Sequence, residues 1–343
     1  MEQFRLLLAI GLSFLVLFVW SMFFVDRQPV TDNQETVTTK TRPDDEQDPP
    51  KTAVATSATI SKEEVDAIKA DQLVDNQGRE ITVETPFYTV RLSARGASFG
   101  SYILKKYRET VDKNSPNKQL IPPSFKGGVI RATLLGNALT GLNDAIFSIA
   151  QEGDRLVVDN DRKDLSFNWV ADDGTILTKT YTFDPDSYLI GLKVVLNNAS
   201  ERALKDQLVL SVRKPLEENQ GYGFVGPSAL INDKLEQVKT KKIEDQDEYK
   251  GKIKWVSIED RYFLSSIIPG SEIDGSMKLA EIDNVVVNQL VNPIFTLSPG
   301  EKLESNFYVF MGPKSMDLLD SLGHDLGKAL NFGFFNVIAK PCL

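Results

Sequence analysis

Near the amino end, Leu6 to Val25 form twenty consecutive residues without a charge, interrupted only by Gly11, Ser13 and Ser21. At about 1.5 Å per residue, a helix of that length crosses a ~30 Å hydrocarbon layer. The run ends in Phe23-Phe24-Val25-Asp26-Arg27, without the small residues that a signal peptidase needs. It therefore reads as an uncleaved transmembrane anchor over residues 1–26, with Trp20 near the interface. Arg5 precedes the run and Arg27, Lys40 and Arg42 follow it, so flanking charge leaves its orientation open.

Beyond the anchor the apolar pattern vanishes. Asp26 to Pro50 hold seven acidic residues, three basic, four prolines and five threonines. So little apolar surface cannot offset the entropy of ordering, and an acidic, extended tether is expected over 27–78. One short helix is predicted inside it over 61–70, where Ser61 and Glu64 fit a capping box.

From residue 79 the period changes to two. Tyr88, Val90 and Leu92 alternate with Phe87, Thr89 and Arg91, and similar runs recur at 129–135, 145–150, 155–159, 165–171, 175–183, 188–196 and 204–212. Asp172-Asp173-Gly174 and Asp184-Pro185-Asp186 supply turn chemistry between them. After a loop-rich stretch at 214–228, strands are expected at 252–258, 261–268, 276–283, 285–291, 293–298 and 303–311. Many short strands without long intervening helices predict a mainly β fold, a large antiparallel two-sheet sandwich over 79–312. Past Gly312-Pro313, Met316, Leu319, Leu322, Leu326 and Leu330 fall at helical spacing, so a closing helix is predicted. Asn331 to Leu343 then begins a second apolar, amphipathic helix, too short to span a membrane.

The chain is 41% hydrophobic and 25% charged, with 39 basic against 48 acidic residues. The net charge of −9 argues against nucleic acid as the main partner. A lone cysteine, Cys342, excludes an intramolecular disulfide and a cysteine zinc site.

Candidate chemistry is thin. Gly96-Ala97-Ser98-Phe99-Gly100 has the form of a hydrolase nucleophile elbow, but an extended run rather than a helix follows Ser98. The single histidine, His324, reads as an exposed residue of the closing helix, with no second ligand close in sequence. Gly323 to Lys328 resembles a phosphate loop with one residue too few between the glycines and Ala329 where Ser or Thr is required. Asp159, Asp161 and Asp164 begin a calcium-loop pattern, but Lys163 and Val170 occupy ligand positions, leaving a hairpin turn. The lysines at 239, 241, 242, 250, 252 and 254 are interleaved with acids and make no binding stripe. No catalytic, cofactor-binding or metal-ligating residue is assigned, and no cofactor is expected.

The order of parts, together with several local motifs, resembles the Gram-negative YidC membrane protein insertase family. The matching segments are Trp255-Val-Ser-Ile-Glu-Asp-Arg-Tyr-Phe-Leu264, Phe307-Tyr-Val-Phe-Met-Gly-Pro-Lys314 and Gly333-Phe-Phe-Asn-Val-Ile-Ala-Lys-Pro341. The strand pair around Thr89 to Tyr107, with Arg95-Gly96 at its bend, and Lys179-Thr-Tyr-Thr-Phe183 also match. The resemblance implies a β-supersandwich in the periplasm and a protein of the cell inner membrane. It implies assistance to insertion and folding of inner-membrane proteins, alone or with the Sec translocon. Its partners would be client inner-membrane proteins, Sec translocon components and the lipid bilayer. The family's five further transmembrane helices, with their hydrophilic groove, are expected to lie beyond Leu343.

Trp255, Asp260, Arg261, Tyr262 and Phe263 carry the family fingerprint, and structural roles are expected for them, with Trp255 in the core and Asp260 paired to Arg261. Two other readings stand beside this one: an envelope-anchored sandwich that binds a glycan or peptide, and an enzyme of mutarotase type. The absence of histidine from 79–312 weighs against the last.

Overall fold

The computed structural model describes residues 62–73, 78–136, 138–215 and 223–330. The anchor expected over 1–26, most of the tether and the amphipathic start over 331–343 lie outside the described residues. Among those described, no helix is long and apolar enough to cross a membrane.

Among the described residues helix α1 (Lys62–Leu73) comes first, and eighteen strands follow. One sheet runs, in spatial order, β4 (Asn117–Gln119), β3 (Ser98–Arg108), β2 (Tyr88–Ser93), β1 (Glu80–Glu84) and β7 (Arg155–Val157). The thirteen-stranded sheet begins β5 (Ile130–Leu134), β11 (Leu204–Pro215), β17 (Val285–Leu297), β16 (Ile273–Ile282) and β14 (Glu248–Glu259). It continues β15 (Phe263–Pro269), β18 (Lys302–Pro313), β10 (Leu189–Asn197), β9 (Ile176–Phe183), β8 (Lys163–Val170) and β6 (Ser148–Ile149). On the other edge of β14 lies β12 (Gly226–Ile231), which pairs with β13 (Lys234–Gln237).

The fork in the large sheet has a local cause. Strands β15 and β16 lie end to end along one edge of β14: Val256–Glu259 pair with β15 and Glu248–Ile253 with β16. At Gly270–Glu272 the edge strand breaks. Beyond the break β15 hands its other edge to β18 and β16 hands its edge to β17, so two wings leave one long central strand.

Alternation fixes which face is buried. On β9, Leu177, Lys179, Tyr181 and Phe183 are buried while Thr178, Thr180 and Thr182 are half-buried. The register sets Tyr181 beside Leu192 and Leu192 beside Phe307, so apolar side chains line up across three strands. The smaller sheet lies against this face: Phe99 sits 5.4 Å from Tyr181 between ring centres, and Phe87 sits 4.8 Å from Tyr188. The two-sheet sandwich expected from the pattern is the observed architecture.

Several local expectations change. The runs at 285–291 and 293–298 form one strand, β17, bulged opposite Gln207 to Val209. The bulge accommodates Pro293, which has no N–H for a ladder, and Gln207 Nε2 and Asn292 Nδ2 donate to the carbonyls of Asn292 and Leu208 instead. The stretch at 214–228 contains the start of β12, which is buried at every position and so shows no period of two. Asp159 to Asp164 is not a hairpin turn, because β7 and β8 belong to different sheets and the segment crosses between them. The sandwich is not wholly antiparallel either, since β1 and β7 pair in parallel.

Candidate functional site

The closing segment is not one helix. It forms α2 (Met316–Ser321), breaks, and finishes in a 3-10 turn over Leu326–Ala329. The break falls where Gly323, His324 and Asp325 take φ of 72°, 55° and 57°. Such left-handed backbone is disfavoured for non-glycine residues and persists where tertiary contacts hold it. Leu319, Leu326 and Ala329 are buried in the same core as the strands.

Ion pairs pin this segment at both ends. At its start, Lys314 leaves β18, its N–H donates to the Tyr262 carbonyl at 2.8 Å, and its ammonium donates to Glu259 Oε2 at 2.5 Å. Both charges are withdrawn from solvent, the side chains being 9% and 0% exposed. Gln237 Nε2 donates to the other Glu259 oxygen at 3.0 Å, satisfying the buried carboxylate. Beside it Lys214 Nζ donates to Asp260 Oδ2 at 2.8 Å. Burial works against the charged form of Asp260. The Lys214 ammonium and the Arg261 N–H outweigh it and hold the carboxyl below its usual range.

At the other end, Lys254 Nζ donates to Asp233 Oδ1 at 2.7 Å and to Asp325 Oδ2 at 2.8 Å. Lys328 lies 3.6 Å from Asp233 and 3.5 Å from Asp325. The network joins the β12–β13 turn, the middle of β14 and the 3-10 turn. Hydrogen bonds from Lys254 hold both carboxylates below their usual range. A cleft of about 350 Å³ opens beside it, lined by Lys254, Pro269, Gly270, Glu272, His324 and Asp325.

Between the two ends lies a buried polar row. The Ser228 and Ser257 hydroxyls are 2.8 Å apart, and Asn288 Nδ2 donates to the carbonyls of both residues, at 3.0 and 2.8 Å. Trp255, fully buried, stands two residues from Ser257 on β14.

The residues singled out from sequence fall into place around this frame. Ser98 begins a strand, and its hydroxyl donates to the Arg95 carbonyl at 3.0 Å. The bend before it, with Gly96 at φ 69° and Ala97 at φ 49°, is braced from β9. Lys179 Nζ donates to the Gly96 carbonyl at 2.8 Å, and the Tyr181 hydroxyl to the Ala97 carbonyl at 2.7 Å. Lys179 is buried, its ammonium over the Phe147 ring at 4.6 Å. Burial, reinforced by nearby Arg131, lowers its pKa to about 7.

His324 is not on a helix. It occupies the break after α2 and packs at a tilt of 46° against Tyr308, with centroids 5.1 Å apart. Asp260 pairs with Lys214 rather than with Arg261, whose guanidinium lies 4.9 Å over the Tyr262 ring. Asp164 accepts from the Thr182 hydroxyl at 2.7 Å. Among the described residues no cluster of three or more His, Cys, Asp or Glu is placed to hold a metal ion. Lys254, read from sequence as one of an interleaved run, turns out to be the hub of the second network. The turn residues Asn232-Asp233 were the available signal for its partner.

This is a β-sandwich scaffold whose buried charges clamp a chain segment, with the Ser98 hydroxyl engaged by the Arg95 carbonyl and His324 packed on Tyr308. The family model for the YidC periplasmic domain matches residues 80–343. The chain belongs to the YidC membrane protein insertase family. The membrane protein insertase YidC of Geobacter sulfurreducens is 30% identical over 272 residues, covering 76% of this chain and 49% of the relative. That of Geobacter metallireducens is 27% identical over 351 residues, covering 99% of this chain and 62% of the relative. The chain thus spans about half to three fifths of the length of these curated relatives. Among solved structures, a galactose mutarotase related enzyme from Lactobacillus acidophilus is 11% identical with a TM-score of 0.47, covering 68% of this chain and 97% of that one.

Proposed function

We propose that this chain is the anchor and periplasmic portion of an insertase that assists insertion, folding and assembly of inner-membrane proteins, alone or beside the Sec translocon. Family membership over residues 80–343 carries the reading. In it, residues 1–26 anchor the chain in the inner membrane, 27–78 act as a tether, and 79–312 form the periplasmic domain. A client segment with polar residues faces several kcal/mol of cost in hydrocarbon, and a polar surface open to lipid lowers that barrier without a nucleotide or cofactor. The β domain contributes rigid geometry: the clamped segment from Lys314 to Leu330 transmits the domain's position to whatever follows it.

The test is complementation. In cells depleted of their own insertase, this chain joined to the membrane portion of the Geobacter sulfurreducens relative is expected to restore insertion of a polar client segment. Failure of the chimera where the intact relative succeeds would overturn the assignment.

A further inference from the structure

One end of the sandwich carries a surface that the insertase reading does not use. The β14–β15 hairpin presents Tyr262, 61% exposed, and the loop between β3 and β4 presents Val111, fully exposed at 103%. The two tips are neighbours, because Tyr107 at the end of β3 meets Phe263 edge-on at 5.9 Å. Cations surround them. Arg261 lies over Tyr262, and Lys106 lies 4.1 Å over the Phe87 ring.

The charge balance here is opposite to that of the whole chain. Glu109 is taken up by Lys118 at 2.8 Å and Asp260 by Lys214. Lys106, Lys113 and Arg261 are exposed and make no ion pair with a described carboxylate. Asp112 within the loop, exposed Asp186 in the turn before β10 and exposed Asp317 at the start of α2 oppose them, fewer than the cations Lys105, Lys106, Arg108, Lys113 and Arg261 exposed at this end.

We propose that this end of the domain is a docking surface for an anionic lipid bilayer. Apolar tips flanked by exposed cations and ring–cation pairs suit a planar interface, where aromatic and aliphatic groups enter the headgroup layer and Lys or Arg meet lipid phosphate. An acidic peptide would need a groove or a long open edge. The tips protrude instead, and β4, the edge strand beside them, has three residues. The inference rests on the proposed reading only for the anchor over residues 1–26, and co-purification of the labelled protein with neutral discs checks that anchor separately from docking.

The test uses the full chain with Cys342→Ser and one added cysteine, Val111→Cys or Glu201→Cys, labelled with an environment-sensitive dye. Glu201 lies in the exposed connection at the far end of β10. Each labelled protein is placed in nanodiscs of phosphatidylcholine alone or mixed with phosphatidylglycerol, with headgroup spin-labelled lipid as quencher. Quenching is expected at position 111 in the anionic discs, and neither at 201 nor in neutral discs. Lys106→Glu with Arg261→Glu is expected to lower the docked fraction at least about tenfold. Should that variant melt early, 0.5 M salt on the parent chain, which screens exposed charges beyond a few ångströms, must produce the same loss. Quenching that is absent at 111, equal at both labels, or equal in neutral and anionic discs overturns the proposal. So does a dye response at 111 to poly-glutamate with no quenching by lipid, which would assign the surface to an acidic polypeptide.

Discussion

Lys314 and Glu259 form an ion pair across the intervening strand β15, at 2.5 Å, with Glu259 fully buried and Lys314 nearly so. The pair ties the first residue after β18 to the end of β14. It therefore holds the start of the closing segment against the hairpin that carries Asp260 to Tyr262.

Removing one partner leaves a buried charge uncompensated, which costs about 3–5 kcal/mol. Lys314→Met or Glu259→Leu is expected to destabilise the domain by that amount in urea denaturation. The double variant is expected to recover most of the loss, because replacing a buried pair with apolar side chains is often neutral or stabilising. Equal destabilisation of the double and single variants would contradict the assignment.

Trp255→Ala removes a fully buried indole from the central strand and is expected to cost about 3–5 kcal/mol. A melting midpoint within a degree or two of the parent would show that the site collapses around the change.

Lys179 gives the fold a pH dependence of defined sign. Its folded pKa is lowered from 10.5 to about 7, so between those values the unfolded chain binds more protons than the folded one. Stability is expected to rise with pH across this window, by up to about 1.4 kcal/mol per unit, and to be insensitive to Lys179 below it. Above about pH 10 the slope reverses. Burial raises the folded pKa of Tyr88, Tyr102 and Tyr181, so the unfolded chain loses those protons first. Chemical denaturation across pH 6 to 11, with Lys179→Met losing the rise, checks both limbs.

The Lys254 network lies at the surface, so its effect is expected to be local. Lys254→Ala is expected to speed amide hydrogen exchange of residues 322–330 while leaving that of β9 and β10 unchanged. Unaltered protection of the 3-10 turn would show that Leu326 and Ala329 hold it without the charges.

Gly275 sits on β16 where a methyl group would press against the Val291 carbonyl oxygen. Gly275→Ala is expected to force the β16–β17 pair apart and cost about 1–3 kcal/mol in thermal unfolding. A β16–β17 ladder with unchanged amide protection would contradict it.

Much of the fold is legible along the chain. Period-two burial with Asp-Gly and Asp-Pro turns locates β8, β9, β10 and β18 within two or three residues, because each strand has one core face and one wetter face. The pattern fails where that asymmetry fails. Strand β12 is buried on both faces, and Pro293 divides β17 in the sequence but not in space. The apolar spacing from Met316 to Leu330 likewise reads as one helix. Of its hydrophobic positions Leu319 and Leu326 enter the core and Leu322 and Leu330 pack against it half-buried, but the backbone breaks at Gly323 to Asp325.

Sequence by itself determined the class of fold and the family, since these rest on local periodicity and on motifs contiguous in the chain. The tertiary structure decided which charges meet. Lys314 with Glu259, Lys214 with Asp260, and Lys254 with Asp233 and Asp325 are separated by 55, 46, 21 and 71 residues. No local period encodes such pairs, because their attraction acts through space after burial has brought the strands together.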